Sequence, residues 1–107
     1  FTLTLGNVKT MRYMFYGARK FDQDISNWNV SNVTDMRGMF GGAINFKKNL
    51  SEWDISKVTD MSNMFKNSGI ATTRLATIMS NTFYNNRSKY LESRFRDEGS
   101  FRKYIGL

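Results

Sequence analysis

The chain of 107 residues contains no cysteine and no histidine. Without cysteine it forms no disulfide and offers no thiolate nucleophile; without histidine it lacks the commonest metal ligand and the usual near-neutral general base. No stretch approaches the roughly 18 consecutive apolar residues of a membrane-spanning helix. Acidic residues are scarce, 9 against 16 basic, for a net charge of +7. The chain opens at Phe1 instead of methionine, with no charged-then-apolar leader and no lipid-attachment cysteine, which reads as a processed or excised piece. What is present excludes disorder, because 40% of residues are hydrophobic and 15% aromatic. A chain of this length makes one domain at most, with marginal stability unless its packing is regular.

Regularity is written into it three times. "NVKTMRYMF" begins at Asn7, "NVTDMRGMF" at Asn32 and "KVTDMSNMF" at Lys57, a period of 25 residues. Between 7–31 and 32–56, 12 of 25 positions are identical, where unrelated sequences of ordinary composition match at roughly one or two. The matches are mostly apolar: Val8/Val33, Met11/Met36, Met14/Met39, Phe15/Phe40, Ala18/Ala43, Phe21/Phe46 and Trp28/Trp53. A fixed period of this kind marks units that bury their apolar face only by stacking on neighbours.

Within one unit, Met36, Met39 and Phe40 follow Thr34-Asp35 at the spacing i, i+3, i+4, which predicts a short helix capped by Thr34. Gly17, Gly42 and Asn67 stop each helix, since they tolerate positive φ. Ile25-x-x-Trp28-x-Val30 and Leu50-x-x-Trp53-x-Ile55 reproduce the L-x-x-L-x-L spacing of leucine-rich repeats, which predicts very short parallel strands with Trp28 and Trp53 in a ladder and Leu3 as a truncated first rung. The expected fold is therefore α/β, a short leucine-rich-repeat-like solenoid of parallel short strands and short helices with a helical C-terminal cap. The expected organisation is an array over 1–68 (partial unit 1–6, units 7–31 and 32–56, partial unit 57–68), then a degenerate repeat and cap over 69–107.

The strings "FDQDISNWNVSNVTDMRGMF" and "FKKNLSEWDISKVTDMSNMF" closely resemble the BspA-like class of bacterial leucine-rich repeats, whose units run W-[ND]-[VI]-S-x-V-[TS]-[DN]-M-x-x-M-F-x-x-A-x-x-F. The match covers residues 3 to about 68, and arrays of that class are usually longer. The resemblance implies a surface-exposed or lipid-anchored protein of the mollicute type, used for adhesion or protein recognition and not for catalysis. A cell-surface location follows from the resemblance alone.

After Phe65 the pattern decays, with Ala71, Ile78 and Ser80 at the phases of Phe, Trp and Val. Leu75, Ile78, Met79 and Phe83 have helical spacing, and Ser88 is placed to start a further helix stopped at Gly99, with Ser100 opening a last turn. This tail holds most of the net positive charge: residues 66–107 carry 8 basic and 3 acidic side chains, residues 1–65 carry 8 and 6. Arg87, Lys89, Arg94, Arg96, Arg102 and Lys103 are interleaved with Tyr90, Phe95, Phe101 and Tyr104. Cations for phosphates and rings for bases are the ingredients of a nucleic-acid surface. The plainer reading is a capping helix whose aromatic face packs down and whose basic face is solvated.

No cofactor is expected and no enzyme: nothing marks a nucleophile, a cleft or a phosphate-binding glycine loop. Asp22 and Asp24 could hold a cation, but Lys47 and Asn49 stand at the same phases one unit later. The expected binding residues are those pointing away from the core on the strand face: Thr2, Thr4 and Gly6; Asn27, Asn29 and Ser31; Glu52, Asp54 and Ser56. They vary between units while the core does not. The leading expectation is a protein-interaction or adhesion module with a protein partner. Its alternatives are a structural assembly subunit that docks, or self-associates, through its N-terminal edge at Phe1, Leu3 and Leu5, and a nucleic-acid binder using the basic tail.

Overall fold

Each of the first two methionine-rich segments sends every second backbone amide to the next copy of the repeat. In the computed structural model, which describes residues 5–107, Met11, Tyr13, Phe15 and Gly17 donate to the carbonyls of Asp35, Arg37, Met39 and Gly41 at 2.7–2.9 Å. One unit on, Met36, Gly38, Phe40 and Gly42 donate to Asp60, Ser62, Met64 and Lys66 at 2.8–2.9 Å. The intervening amides close turns within their own unit, as Met14 does on Met11, Met39 on Met36 and Met64 on Met61. Three layers of turns result: layer 1 (5–31), layer 2 (32–56) and layer 3 (57–74).

Side chains stack in register with this ladder. Phe40 lies between Phe15 and Phe65, with ring centroids 5.6 and 5.8 Å away and planes within 10° of parallel. Phe21 stacks on Phe46 at 5.4 Å. Met36, Met39, Met61, Met64, Phe40, Phe46 and Phe65 are fully buried. The corners are pinned by side chains that accept the amide two residues on: Thr10, Asp35 and Asp60 do so at one corner, Asp24 and Asn49 at a second, Asn29 and Asp54 at a third. Such local bonds favour turns over helix.

The expected α/β leucine-rich-repeat-like solenoid of parallel strands and short helices is therefore corrected. Among the described residues there is no strand and no sheet; the only pairings of that kind are the isolated parallel bridges Thr10↔Asp35 and Asp35↔Asp60. All helix among the described residues lies between Gly69 and Tyr104. The helices predicted at the methionines fail because Tyr13, Gly38 and Asn63 have φ of 55–60°, and Gly17, Gly42 and Asn67 have φ of 60–72°. A left-handed residue at the third position of a turn gives the type II geometry, and two of them within five residues leave too few to repay helix nucleation. The strands fail because turns Leu50–Trp53 and Ile55–Val58 bracket the segment too closely for an extended run. The indoles likewise do not pair with each other: Trp28 packs on Phe15 at 5.9 Å and Trp53 on Phe40 at 6.3 Å. The Trp53 Nε1–H donates to the Ile25 carbonyl of the layer above, at 3.2 Å. The predicted rung at Leu3, and Phe1, Thr2 and Thr4 with it, lie outside the described residues.

Layer 3 is closed by a 3-10 turn, Gly69–Thr72, and three helices: α1 (Leu75–Asn86), α2 (Lys89–Arg94) and α3 (Glu98–Tyr104). Met79 and Phe83 of α1 are buried against the stack, Phe83 lying 5.8 Å from Phe65. The helix expected to run from Ser88 to Gly99 ends at Arg94; Ser88 does cap it, accepting the Leu91 amide at 3.2 Å. Gly99 sits inside α3, which Asp97 caps by accepting the Ser100 amide at 2.9 Å. The end of α3 replaces a fourth layer: Asn63 and Phe65 donate to the carbonyls of Tyr104 and Ile105 at 2.8 and 2.9 Å, and Met61 donates to the Tyr104 hydroxyl at 2.9 Å.

Candidate functional site

Buried Trp53 and Ile55 alternate with exposed Glu52, Asp54 and Ser56, so the corner after Leu50 presents every second side chain to solvent. Asn27 and Asn29 occupy the same phases one layer up and are exposed; Ser31 is partly buried. Two of the six candidates have a structural duty. The Asn29 Oδ1 accepts from the Ser31 amide at 3.1 Å and its hydroxyl at 2.6 Å. The Asp54 Oδ1 accepts the Ser56 amide at 3.0 Å, and bonding to Ser56 holds the Asp54 carboxyl below the usual 3.8. Asn27 and Glu52 make no side-chain hydrogen bond among the described residues and are free to contact a partner. A shallow hollow of about 330 Å³ lies here, and Asn86, at the C-terminal end of α1, joins its lining beside Glu52, Asp54 and Ser56. No repeat phase points to Asn86, which only the fold of the cap brings to this face.

The basic candidates do not converge on one face. Arg87 faces inward: its guanidinium donates to the carbonyls of Phe95 (3.0 Å) and Tyr84 and lies 3.8 Å from the Tyr84 ring centroid. Arg102 donates to the Leu107 carbonyl at 3.3 Å and to the Thr77 hydroxyl at 3.4 Å. Arg94 donates to the Tyr90 hydroxyl at 2.9 Å, and Lys89 pairs with Glu92 at 3.8 Å. Arg96 and Lys103 are exposed. Arg87, Lys89 and Arg96 share a shallow depression with Glu92, while Arg94 belongs to a separate cleft. Arg87→Ala should therefore lower stability by about 2 kcal/mol, the scale of hydrogen bonds from a charged donor, whereas Arg96→Ala should change it by less than about 0.5 kcal/mol. Urea midpoints of the two variants check this; equal midpoints would show that Arg87 is no staple.

A cleft of about 620 Å³ lies between layer 3 and α2 and is lined by Thr59, Asp60, Ser62, Tyr90, Arg94 and Tyr104. Asp60 Oδ1 is held by the Ser62 amide (2.9 Å) and hydroxyl (2.8 Å) and lies 3.4 Å from the Tyr104 hydroxyl. The pair considered as a cation site is engaged elsewhere: Asp22 accepts the Lys47 amide at 3.0 Å and pairs with Lys48 at 3.3 Å, and Asp24 accepts the Ser26 amide at 3.0 Å. Among the described residues no group of three or more acidic side chains is placed to hold a metal ion.

These contacts set the pH response. Bonding to Ser26, Ser56 and Ser100 holds Asp24, Asp54 and Asp97 below the usual 3.8. Groups whose folded pKa is depressed add stability above the unfolded value and lose it as pH falls through the folded one. Burial pushes the Tyr104 phenol above its usual 10.0, so its contribution is complete below pH 10 and disappears as the phenol ionises above that. Melting temperature should be flat across neutral pH, fall below about pH 4 and fall again above about pH 10. Tyr104→Phe should remove the alkaline decline and leave the acid one.

No helix of the described residues is long and apolar enough to cross a membrane. No curated protein and no solved structure matches the chain. The family model described as "Mycoplasma protein of unknown function, DUF285" matches residues 2–105, a span that takes in all three layers and all but the last two residues of the cap, and the chain belongs to this family.

Proposed function

We propose that the chain is a non-catalytic protein-interaction or adhesion module of the BspA-like surface type, binding a protein partner through the corner that carries Asn27, Asn29, Ser31, Glu52, Asp54 and Ser56. The observation that carries this reading is the exposure of Asn27 and Glu52 on a backbone whose corner is pinned from within by Asn29 and Asp54. A surface ordered before binding loses little entropy on contact. The repeat resemblance and the mollicute family support the same reading.

The test is binding of the purified chain to immobilised extracellular-matrix proteins, with Asn27→Lys/Glu52→Lys and Lys89→Glu/Arg96→Glu as paired variants. The first pair should weaken binding at least about tenfold, roughly 1.4 kcal/mol, with an unchanged melting temperature, and the second should not. Binding that follows the second pair and falls steeply and linearly in log–log salt plots would transfer the function to the basic tail. Absence of binding to every matrix protein would remove the adhesion reading.

A further inference from the structure

The cleft between layer 3 and α2 carries one charge of each sign, and neither is neutralised. The ion pairs among the described residues are Arg12–Asp35, Lys48–Asp22 and Lys89–Glu92, so Asp60 on the layer 3 wall and Arg94 on the α2 wall have no charged partner. Layer 2 differs at the same phase: Asp35 pairs with Arg12 at 3.6 Å, whereas Arg37, one repeat after Arg12, makes no such pair with Asp60. Both unpaired charges reach the Tyr104 phenol, whose pKa burial raises most, Asp60 raises further and Arg94 lowers.

The two walls also differ in hydrogen-bonding sense. On layer 3 the Thr59 hydroxyl donates to the Thr34 carbonyl at 3.2 Å and the Ser62 hydroxyl to Asp60 Oδ1 at 2.8 Å. Their hydrogens are committed and their lone pairs are not, and Asp60 Oδ2 accepts no hydrogen bond among the described residues. This wall therefore accepts. On α2 the Tyr90 hydroxyl accepts from Arg94 Nη1 at 2.9 Å, which leaves its own hydrogen and the rest of the guanidinium fork to donate. The Tyr90 ring, 49% exposed, adds a flat apolar face, and no aliphatic side chain lines the cleft.

We propose that this cleft binds a uronic acid, a sugar ring with a single carboxylate, which sets the carboxylate on Arg94 and the Tyr90 hydroxyl, its ring hydroxyls on Asp60, Thr59 and Ser62, and its C–H face on the Tyr90 ring. The Arg94 fork matches a carboxylate in shape and charge. An inorganic anion would use the α2 wall alone and leave the acceptors of layer 3 unmatched. A phosphorylated sugar brings a second negative charge, for which the cleft holds no second cation and which Asp60 opposes. The volume of about 620 Å³ lies within the roughly 300–1,000 Å³ of small-molecule sites. This cleft is separate from the corner of Asn27 and Glu52 and does not rest on it.

The probe is sodium D-glucuronate, titrated into the isotope-labelled chain at constant ionic strength while amide chemical shifts are followed. Saturable shifts centred on Thr59–Ser62 and Tyr90–Arg94 are expected, with Kd below about 10 mM. D-glucose, acetate, glycine and D-glucose 6-phosphate should each bind at least tenfold more weakly. Arg94→Gln should weaken glucuronate binding at least tenfold, to the level of glucose, and Tyr90→Ala should weaken both sugars at least tenfold. Arg96→Gln, which removes an exposed cation outside the cleft, and Asn27→Lys/Glu52→Lys at the corner should each change the Kd less than twofold. Acetate or glucose 6-phosphate binding as tightly as glucuronate would reduce the cleft to an anion site, and glycine doing so would give it to an amino acid. Either result, no saturation, or an equal loss in Arg94→Gln and Arg96→Gln would overturn the proposal.

Discussion

Phe40→Ala is expected to lower the unfolding free energy by about 3–5 kcal/mol, the usual range for a large aromatic removed from a closed core. The Phe40 ring is fully buried and touches both neighbouring layers as well as its own. Centroids of Phe15, Phe46, Trp53 and Phe65 lie 5.6, 4.3, 6.3 and 5.8 Å away. Truncation loses the transfer energy of the ring and leaves a void with rigid walls, because the backbone on each side is tied to the next layer by hydrogen bonds and does not collapse into it. Against a total stability of about 5–15 kcal/mol, that loss leaves little. The same change at Phe15 should cost roughly half as much, since that ring is only partly buried. Urea denaturation of the two variants measures the difference. Equal losses would mean that the stack does not distinguish an inner layer from an outer one.

Gly106→Ala should be the most damaging of the glycine changes, at about 3 kcal/mol or more. Gly106 has φ of 91°, where a Cβ is strained by about 1–2 kcal/mol. A Cβ there would also meet the Lys66 backbone nitrogen at 2.5 Å and Cα at 2.8 Å, atoms that have no freedom to retreat because the Lys66 carbonyl holds the Gly42 amide. The expected result is a cap lifted from layer 3, which frees the Asn63 and Phe65 amides from Tyr104 and Ile105. Hydrogen exchange should then show those two amides losing protection before the amides that join layers 1 and 2. Gly99→Ala is the contrasting variant: its Cβ meets nothing closer than 3.4 Å inside α3, and it should gain about 0.5–1 kcal/mol from the helix preference of alanine. If Gly99→Ala destabilised as much as Gly106→Ala, a crowded latch at Gly106 would not be the explanation.

The repeat period, the identity of the core residues and the absence of thiol and imidazole chemistry were legible in the residues themselves. Met36, Met39, Phe40 and Phe46 are buried as their spacing implied, because apolar periodicity reports which side chains face inward whatever the backbone does between them. The conformation carrying that pattern was not legible. A spacing of i, i+3, i+4 is met by an α-helix and also by a succession of turns, and only the layer below decides between them. With an acceptor waiting at Asp60, Ser62, Met64 and Lys66, alternate amides of layer 2 go outward instead of back along the chain. The candidate site divides the same way. Exposure of Asn27, Glu52, Asp54 and Ser56 follows from alternation with buried Trp53 and Ile55, but their placement on a pinned corner and the arrival of Asn86 are tertiary facts. So is the dispersal of the basic tail, where Arg87 and Arg102 turn inward because carbonyls at Tyr84, Phe95 and Leu107 need donors. The amino-acid order by itself determined that units would stack and which side chains would lie between them, since burial follows hydrophobicity at a fixed period. Whether those units would be helices, strands or turns was decided only in the stack, where each backbone amide finds its acceptor in a neighbour that local propensity does not see.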